Sequence, residues 1–580
     1  MMDTFDRIDI QELPLSVPLY RRKVEDFLGR NGLRLEEVDL YMAILDAEGG
    51  ILAGGGLSRD LIKCIAVSEA ARSEGLSVPL ISRLIAEAAA RGYSNVKVFT
   101  KPENRPVFES LGFRVLAEAP KAILMENGRG LEDYCAYLRA HRADAVIVMN
   151  ANPFTLGHRY LLEQAAGNLA VIPVKEDLSR FPYNERLEMI RKGGEGLADV
   201  LEGSDYQISA ATFPTYFLKD LSDASETQMR LDIDLFGRHI APALGARVRF
   251  VGSEPADPLT ARYNELMRET LPSYGVQVVE IPRLCDAEGP VTASRVRAAL
   301  DAGRYSEAAA LTPASTHPYL LADLAERALR MELDVPLKPG LVGPGSNGAH
   351  KDMDYAMMLR SIAAIRPFFP RMAQAGSVEE LRQLGIDAEK AMLASTGGVN
   401  THRGAIFALG LALYTFGREM QSSVDQVIVQ NALGENAQRI SCKSLKESEL
   451  HFTVSSHGAD AVLKYGVRGA RQLAQEGYQE LFNDWLPYFK SVREEPYGLQ
   501  KTLLRIMSTL DDTCIIHRVG YERAQVVKAE AKALLEAFSE EGLKDMCARY
   551  AARGISPGGA ADMLALTLFM NSSFNFSHNN

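Results

Sequence analysis

At 580 residues the chain has room for about three to five domains, and 47% apolar with 24% charged residues is the make-up of an ordinary folded protein with ample core. A net charge of −11 argues against a general nucleic-acid binder, while leaving local basic pockets free to hold anions. Six scattered cysteines, with no C-x-x-C pair, suggest neither a disulfide framework nor a zinc site and read as reduced, cytoplasmic usage. No secretory signal opens the chain, and the uncharged run Gly404 to Gly417 is shorter than the ~18–20 residues of a membrane span, so it reads as a buried helix.

From Leu40 to Gly130 strand and helix patterns alternate. Tyr41–Leu45, Leu61–Val67 and Val96–Thr100 read as strands and Val78–Arg91 as a helix, with turns at Gly49-Gly50 and Lys101–Pro106. Asp144–Met149 is a short apolar run of buried-strand type. It leads into Asn150-Ala-Asn-Pro-Phe-Thr-Leu-Gly-His158 and then a helical pattern over Arg159–Ala166. A strand that delivers backbone N–H groups, a hydroxyl and an imidazole to a helix start is suited to phosphate, because unsatisfied N–H groups and the helix dipole both favour anions. The other reading of Thr-x-Gly-His is a loop glycine with a capping histidine.

Past a small, proline-containing linker between Tyr305 and Pro318, the texture becomes helical, starting with Tyr319–Leu333. The loop Leu337–Asp354 contains a formal G-x-G-x-x-G at Gly343, Gly345 and Gly348. A predicted helix and two prolines precede it instead of a buried strand, so it reads as a decoy. The chemistry there lies in Lys338, His350, Asp352 and Asp354. Paired aspartates can hold magnesium through oxygen ligands, or cap a helix. Ser395–Phe407 brings Asn400, His402 and Arg403, and Leu510–Thr513 brings a second pair, Asp511 and Asp512. Ser556-Pro-Gly-Gly-Ala-Ala-Asp562 reads as a helix start with Ser556 as N-cap and Pro557 at N1.

These stretches carry resemblances. Phe108–Phe113 and Arg72-x-x-Gly75 resemble GNAT acetyltransferase phrases, with Ser77 in place of the family's small loop residue and no evident catalytic base. The domain is expected either to bind a pantetheine-like group or to serve as an adaptor. Val291-Thr-Ala-Ser-Arg-Val-Arg297 resembles the closing signature of nucleotidylyltransferases. Together with Asn152–His158, Ser179–Pro182, Ala211–Phe217 and Gly252-x-Glu-Pro255, it makes residues 1–315 look like citrate lyase ligase. That resemblance implies activation of acetate by ATP and acetyl transfer to the citrate lyase acyl-carrier protein. It also implies that Asn152, Thr155, Gly157 and His158 contact ATP, with Ser294 and Arg297 holding the triphosphate. Arg180 and Arg186 are candidates for pyrophosphate or carboxylate, against the reading of two solvated surface arginines, and Glu254 is set between magnesium and a turn cap.

Residues 318–580 resemble triphosphoribosyl-dephospho-CoA synthase, which implies attack of the 2′-hydroxyl of 3′-dephospho-CoA on C1′ of ATP with loss of adenine. Lys338 and Arg403 would neutralise triphosphate, and His350 and His402 would protonate adenine or donate to phosphate. Asp352, Asp354, Asp511 and Asp512 are the magnesium or base candidates. Gly343 stands where that family usually has Asp, and Arg403 where it usually has Lys. The expectation is a multidomain chain: an α/β GNAT-like domain over 1–135, an α/β Rossmann-like nucleotidylyltransferase domain over 136–315 and an all-α domain over 316–580. It would use ATP and Mg2+, with neither nucleic acid nor membrane as partner. Two other readings remain at this point. The middle domain could be a phosphopantetheine adenylyltransferase feeding the C-terminal half, or the first 315 residues could only dock the carrier protein.

Overall fold

The computed structural model describes residues 8–176, 178–208, 213–217, 221–254, 257–419, 426–448 and 464–573. Ala211, Thr212 and Pro255, quoted above as motif residues, lie outside them. The chain divides into two compact units, Met1–Val291 and Thr292–Asn580.

The first unit is α/β and holds two sheets. Strands β1 (Ile10–Glu12), β2 (Leu40–Leu45), β3 (Ile51–Ser58), β4 (Leu61–Val67), β5 (Val96–Thr100), β6 (Arg114–Ala119) and β7 (Ala122–Asn127) form a seven-stranded sheet ordered β1-β2-β3-β4-β5-β7-β6. Only the β4–β5 pair is parallel, and it pairs over just Leu61↔Lys97 and Ile62↔Val98. The helix Ser77–Ala90 lays Leu80, Ile81, Leu84 and Ala88 against one face of this sheet, the spacing of a single apolar stripe. The opposite face shares a continuous core with the second sheet, where Phe99 meets Phe213 edge to face at 5.3 Å.

The second sheet is wholly parallel. Its strands β8 (Ala145–Met149), β9 (Leu169–Pro173), β10 (Asp199–Val200), β11 (Val248–Gly252) and β12 (Gln277–Ile281) are ordered β10-β9-β8-β11-β12. Ala145–Ile147 and Leu169–Pro173 are buried throughout, as a strand covered on both faces requires. The order reverses beside β8. In an open parallel sheet that reversal leaves a crevice at the strands' carboxyl ends, and the Asn150–His158 loop leaves β8 at that end.

Among its described residues the second unit is helical, apart from one bridge between Gly343 and Ser346. At its centre runs the helix Gly558–Ser573, in which every residue from Met563 to Met570 is buried. It packs on the helices His317–Asp334, Arg403–Glu419 and Gly498–Thr509. The uncharged run that read as a buried helix is one of these partners. No described helix is long and apolar enough to cross a membrane.

Candidate active sites

The first site grows from the carboxyl end of β8. The helix Leu156–Gln164 begins three residues earlier than its apolar spacing suggests, which puts His158 in its first turn with Thr155 as N-cap. Thr155 Oγ1 accepts from the His158 N–H at 3.2 Å, and His158 Nδ1 accepts from the Thr155 N–H at 3.0 Å. This reciprocal cap satisfies two of the helix's free donors. Because Nδ1 is an acceptor, the ring proton sits on Nε2, so the imidazole is a neutral donor at a helix N-terminus. The capping reading and the phosphate reading therefore describe two nitrogens of one ring. Gly157 has no room for a side chain, since a Cβ would lie 2.4 Å from the Val291 carbonyl oxygen.

Burial, and after it the Arg283 guanidinium, lowers the His158 pKa to about 4. Arg283 follows β12, donates to the Ser253 carbonyl at 2.6 Å and pairs with Glu254, both of which follow β11. The carboxyl ends of β8, β11 and β12 thus bring an imidazole and a guanidinium together. Arg283 was given no role from sequence, although a cation directly after a strand-ending Ile-Pro was its signal. Glu254, a candidate for magnesium or a turn cap, is instead neutralised by Arg283. Titration of the labelled histidine ring by NMR, with His158→Gln for assignment, should place the His158 midpoint near 4; a midpoint near 6.5 would refute the burial argument. The folded pKa lies below the ordinary value, so the stability His158 contributes is present above about 6.5 and is lost as pH falls through about 4.

Asn152 Oδ1 accepts from the Phe181 N–H at 3.2 Å, tying the Thr-x-Gly-His loop to the Ser179–Pro182 loop. Arg186 is neither solvated nor open to a ligand. It is fully buried, and its guanidinium donates to the main-chain carbonyls of Asn150, Val174, Glu176 and Phe181 at 2.8–3.0 Å. It holds the loops after β8 and β9 in place, while Arg180 is half-buried in the same turn. Ser294 and Arg297 stand three residues apart on the helix Ala293–Asp301, hence on one face. Thr292 caps that helix and meets Ser294 Oγ at 2.9 Å.

In the second unit four separate motif loops converge. Gly340 fits against Ile555, whose carbonyl oxygen a Cβ would meet at 1.9 Å. His350 Nε2 bonds Ser556 Oγ at 2.8 Å. Asp512 caps the helix Thr513–Val519 and also accepts the Ala560 N–H at 2.9 Å. A Cβ on Gly404 would lie 1.9 Å from the carboxylate of Asp562. Ser556 is therefore not the N-cap its spacing suggests: the helix starts at Gly558, and the serine hydroxyl is used by His350.

Asp562 is the focus of this convergence. Burial first, then Asp512 and Glu332, raise its pKa well above the carboxylate range. Burial raises the Asp512 pKa too, but four main-chain N–H groups oppose that rise, so Asp562, pushed up further, is the member of the pair that keeps a proton. Lys338 Nζ lies 2.6 Å from Glu332 Oε1, both buried. Neither Glu332 nor the role of Asp562 was legible from spacing. His402 is buried with Nδ1 2.7 Å from Ser361 Oγ, and burial, then Lys338, lowers its pKa to about 4. Arg403 reaches outward to Glu389 at 2.9 Å.

The formal G-x-G-x-x-G is a tight turn. Gly343 and Ser346 exchange N–H···O bonds of 2.9 and 3.1 Å around Pro344-Gly345, with Gly345 at φ 75°, the geometry of a type II turn. A Cβ on Gly343 would come 3.6 Å from Lys338 Cε. A carboxylate at 343 would thus adjoin an ammonium that Glu332 already neutralises. The four aspartates proposed for magnesium do not form one cage. Asp354 caps the helix Tyr355–Ile365, Asp511 pairs with Lys528 at 2.8 Å, Asp512 is spent on N–H groups, and Asp352 is exposed 3.9 Å from His350. No cluster of three metal-type ligands occurs among the described residues.

Residues 144–320 match the family described as citrate lyase ligase C-terminal domain, and residues 318–579 match ATP:dephospho-CoA triphosphoribosyl transferase. A [Citrate [pro-3S]-lyase] ligase of Klebsiella pneumoniae is 41% identical over 322 residues, covering 53% of this chain and 94% of that protein. That of Escherichia coli strain K12 is 40% identical over 315 residues, covering 51% and 89%. A Pseudomonas fluorescens protein named probable 2-(5''-triphosphoribosyl)-3'-dephosphocoenzyme-A synthase is 39% identical over 270 residues, covering 43% and 90%. The chain belongs to both families. Its citrate lyase ligase part contains the Thr155–His158 cap, and its triphosphoribosyl transferase part contains the four loops that meet at Asp562.

Proposed function

We propose that the chain is a bifunctional citrate lyase maturation enzyme with two independent reaction centres. What supports this most is that the two family matches, 144–320 and 318–579, fall on the stretches whose motif residues gather into two sites. In the ligase part, ATP lies with its α-phosphate at the N-terminus of the helix Leu156–Gln164. A carboxylate oxygen of acetate attacks that phosphorus, pyrophosphate leaves, and the acetyl-adenylate passes its acetyl group to a carrier-protein thiol with release of AMP. His158 Nε2–H and Arg283 stabilise the added phosphoryl charge without transferring a proton.

In the synthase part the 2′-hydroxyl oxygen of 3′-dephospho-CoA bonds to C1′ of ATP as the C1′–N9 bond breaks. The hydroxyl loses one proton and adenine gains one. Asp562, half-buried, is placed to hold that proton in transit. Positive charge develops at C1′, and the neighbouring Asp512 carboxylate favours it. Arg403, which reaches outward, serves the triphosphate, whereas Lys338 stays paired with Glu332.

The test is mass spectrometry of products from the full chain. With ATP, magnesium chloride and dephospho-CoA, adenine and a triphosphoribosyl adduct should appear. With ATP, acetate and the thiol form of the carrier protein, AMP and pyrophosphate should appear. Pyrophosphate release that depends on phosphopantetheine instead of acetate would replace the ligase reading with that of an adenylyltransferase. Absence of adenine would remove the synthase reading.

A further inference from the structure

Just past the Leu510–Thr513 stretch, the exposed Arg518 sits in the last turn of the helix Thr513–Val519. A cation there suits the helix dipole, which accounts for its presence and not for where its guanidinium points. That direction is set from other loops. Arg518 Nη2 meets His350 Nδ1 at 3.3 Å, and His350 Nε2 meets Ser556 Oγ at 2.8 Å. The proton positions follow from the chemistry of the groups: a guanidinium only donates, so Nδ1 carries the lone pair, the ring proton sits on Nε2, and Ser556 Oγ accepts it. Burial, and after it the Arg518 charge, lowers the His350 pKa and keeps the ring neutral. With its side chain 8% exposed, His350 has no ring nitrogen left for adenine or phosphate; the ring orients Arg518.

This leaves a guanidinium whose charge no carboxylate answers. Arg518 forms no ion pair among the described residues, and Asp352, 65% exposed, lies 3.9 Å from His350 Nδ1. Other cations of the unit are matched: Lys338 by Glu332, Arg403 by Glu389 and Lys528 by Asp511. The place is the junction of the motif loops. Cys514, one turn before Arg518 on the same helix face, has its Sγ 3.3 Å from where a Cβ on Gly558 would lie, and Asp512 accepts the Ala560 N–H at 2.9 Å. The carboxyl groups gathered there are already met, Asp512 by N–H groups, Glu332 by Lys338 and Asp562 by its own proton. An anion arriving at Arg518 finds a planar fork that spends one N–H on His350 and keeps the rest, the geometry that suits phosphate oxygens.

We propose that Arg518 is a binding residue of the synthase site, oriented by His350, and that it holds the polyphosphate chain of a nucleotide substrate, either the triphosphate of ATP or the pyrophosphate of dephospho-CoA. The inference rests on the synthase reading above.

The experiment compares wild type, Arg518→Ala and Arg518→Lys in the full chain. Adenine release is measured with ATP varied at saturating dephospho-CoA and the reverse, and the thermal midpoint with and without inorganic tripolyphosphate. For Arg518→Ala the expected result is a KM raised at least about tenfold for one substrate, with kcat within about threefold and the midpoint without tripolyphosphate unchanged. Arg518→Lys, which keeps the charge and loses the fork, should fall between. A rise confined to ATP assigns the triphosphate, a rise confined to dephospho-CoA assigns its pyrophosphate, and a rise for both sets Arg518 between the two. KM values within about twofold of wild type for both substrates overturn the inference while the synthase reading stands. A raised KM with a midpoint lowered by several degrees in both variants also overturns it, because the arginine then serves the fold. If wild type itself releases no adenine, the synthase reading fails and the midpoints decide alone: tripolyphosphate stabilising wild type more than Arg518→Ala leaves the anion site standing, and equal stabilisation removes it.

Discussion

Replacing His158 by alanine is expected to lower acetate-dependent AMP release by about 10²–10³-fold, the usual cost of removing one preorganised donor from a developing anion, and to leave adenine release at the wild-type rate. The reasoning is geometric. Nδ1 is committed to the Thr155 N–H, so Nε2–H is the atom left to face a phosphate, and the pKa of about 4 keeps the ring neutral throughout the working pH range. Its donor strength should then not change between pH 8 and 6, and the wild-type rate should show no inflection near 6.5 from this residue. The substitution also breaks the capping box, which costs about 1 kcal/mol. A modest fall in thermal midpoint is expected with it, too small to explain the loss of rate. Carrier-protein binding should survive. A His158→Ala chain that keeps more than about a tenth of the AMP-forming rate would show that His158 is not the donor that stabilises the transferred phosphoryl group.

Asp562→Asn should separate activity from stability. Adenine release is expected to fall by about 10²–10⁴-fold, the range of a lost general acid or base, while the fold is unchanged or stabilised. Asp562 is buried beside Asp512 and Glu332, and both neighbours disfavour its charge. The carboxamide keeps the volume, can still accept the Ala405 N–H, and removes the ionisation that the site penalises. The sign of the pH effect follows. The folded pKa is raised above the unfolded one, so the stability Asp562 gives in its protonated form is complete below about 4, the ordinary carboxylate value, and is lost as pH rises toward its folded value. The wild-type midpoint should therefore fall relative to the variant's as pH increases. If Asp562→Asn melts lower at neutral pH and retains its rate, the carboxylate belongs to the fold and the convergence of loops is not a reaction centre.

The reach of the sequence differed between the two sites for a physical reason. Thr155, Gly157 and His158 lie within four positions, so one helix start and one cap contain their whole geometry, and local chemistry sufficed to read it. The buried strand β8 was legible in the same way, as an apolar run of strand length, and so was the helix around Gly404–Gly417. Arg186 was not, because whether an arginine meets water or carbonyls depends on how the loops after β8 and β9 fold over it. The Arg283 charge acts on His158 only because β12 and β8 share one sheet.

In the second unit the stretches around Lys338, His402, Asp512 and Asp562 could each be recognised as polar loops by composition, but their partners could not. The spacing of Asp352, Asp354, Asp511 and Asp512 suggested metal pairs. Tertiary packing instead gave Asp354 and Asp512 to helix N-termini and Asp511 to Lys528, while Glu332 and Asp562, some 230 positions apart in the sequence, came to act on each other. Sequence by itself determined the two family memberships, the α/β-then-helical order and the loops where chemistry resides, since these follow from local pattern. Which carboxylate keeps a proton and which arginine is buried were decided only by the tertiary structure, because burial and long-range charge exist only once distant segments have packed.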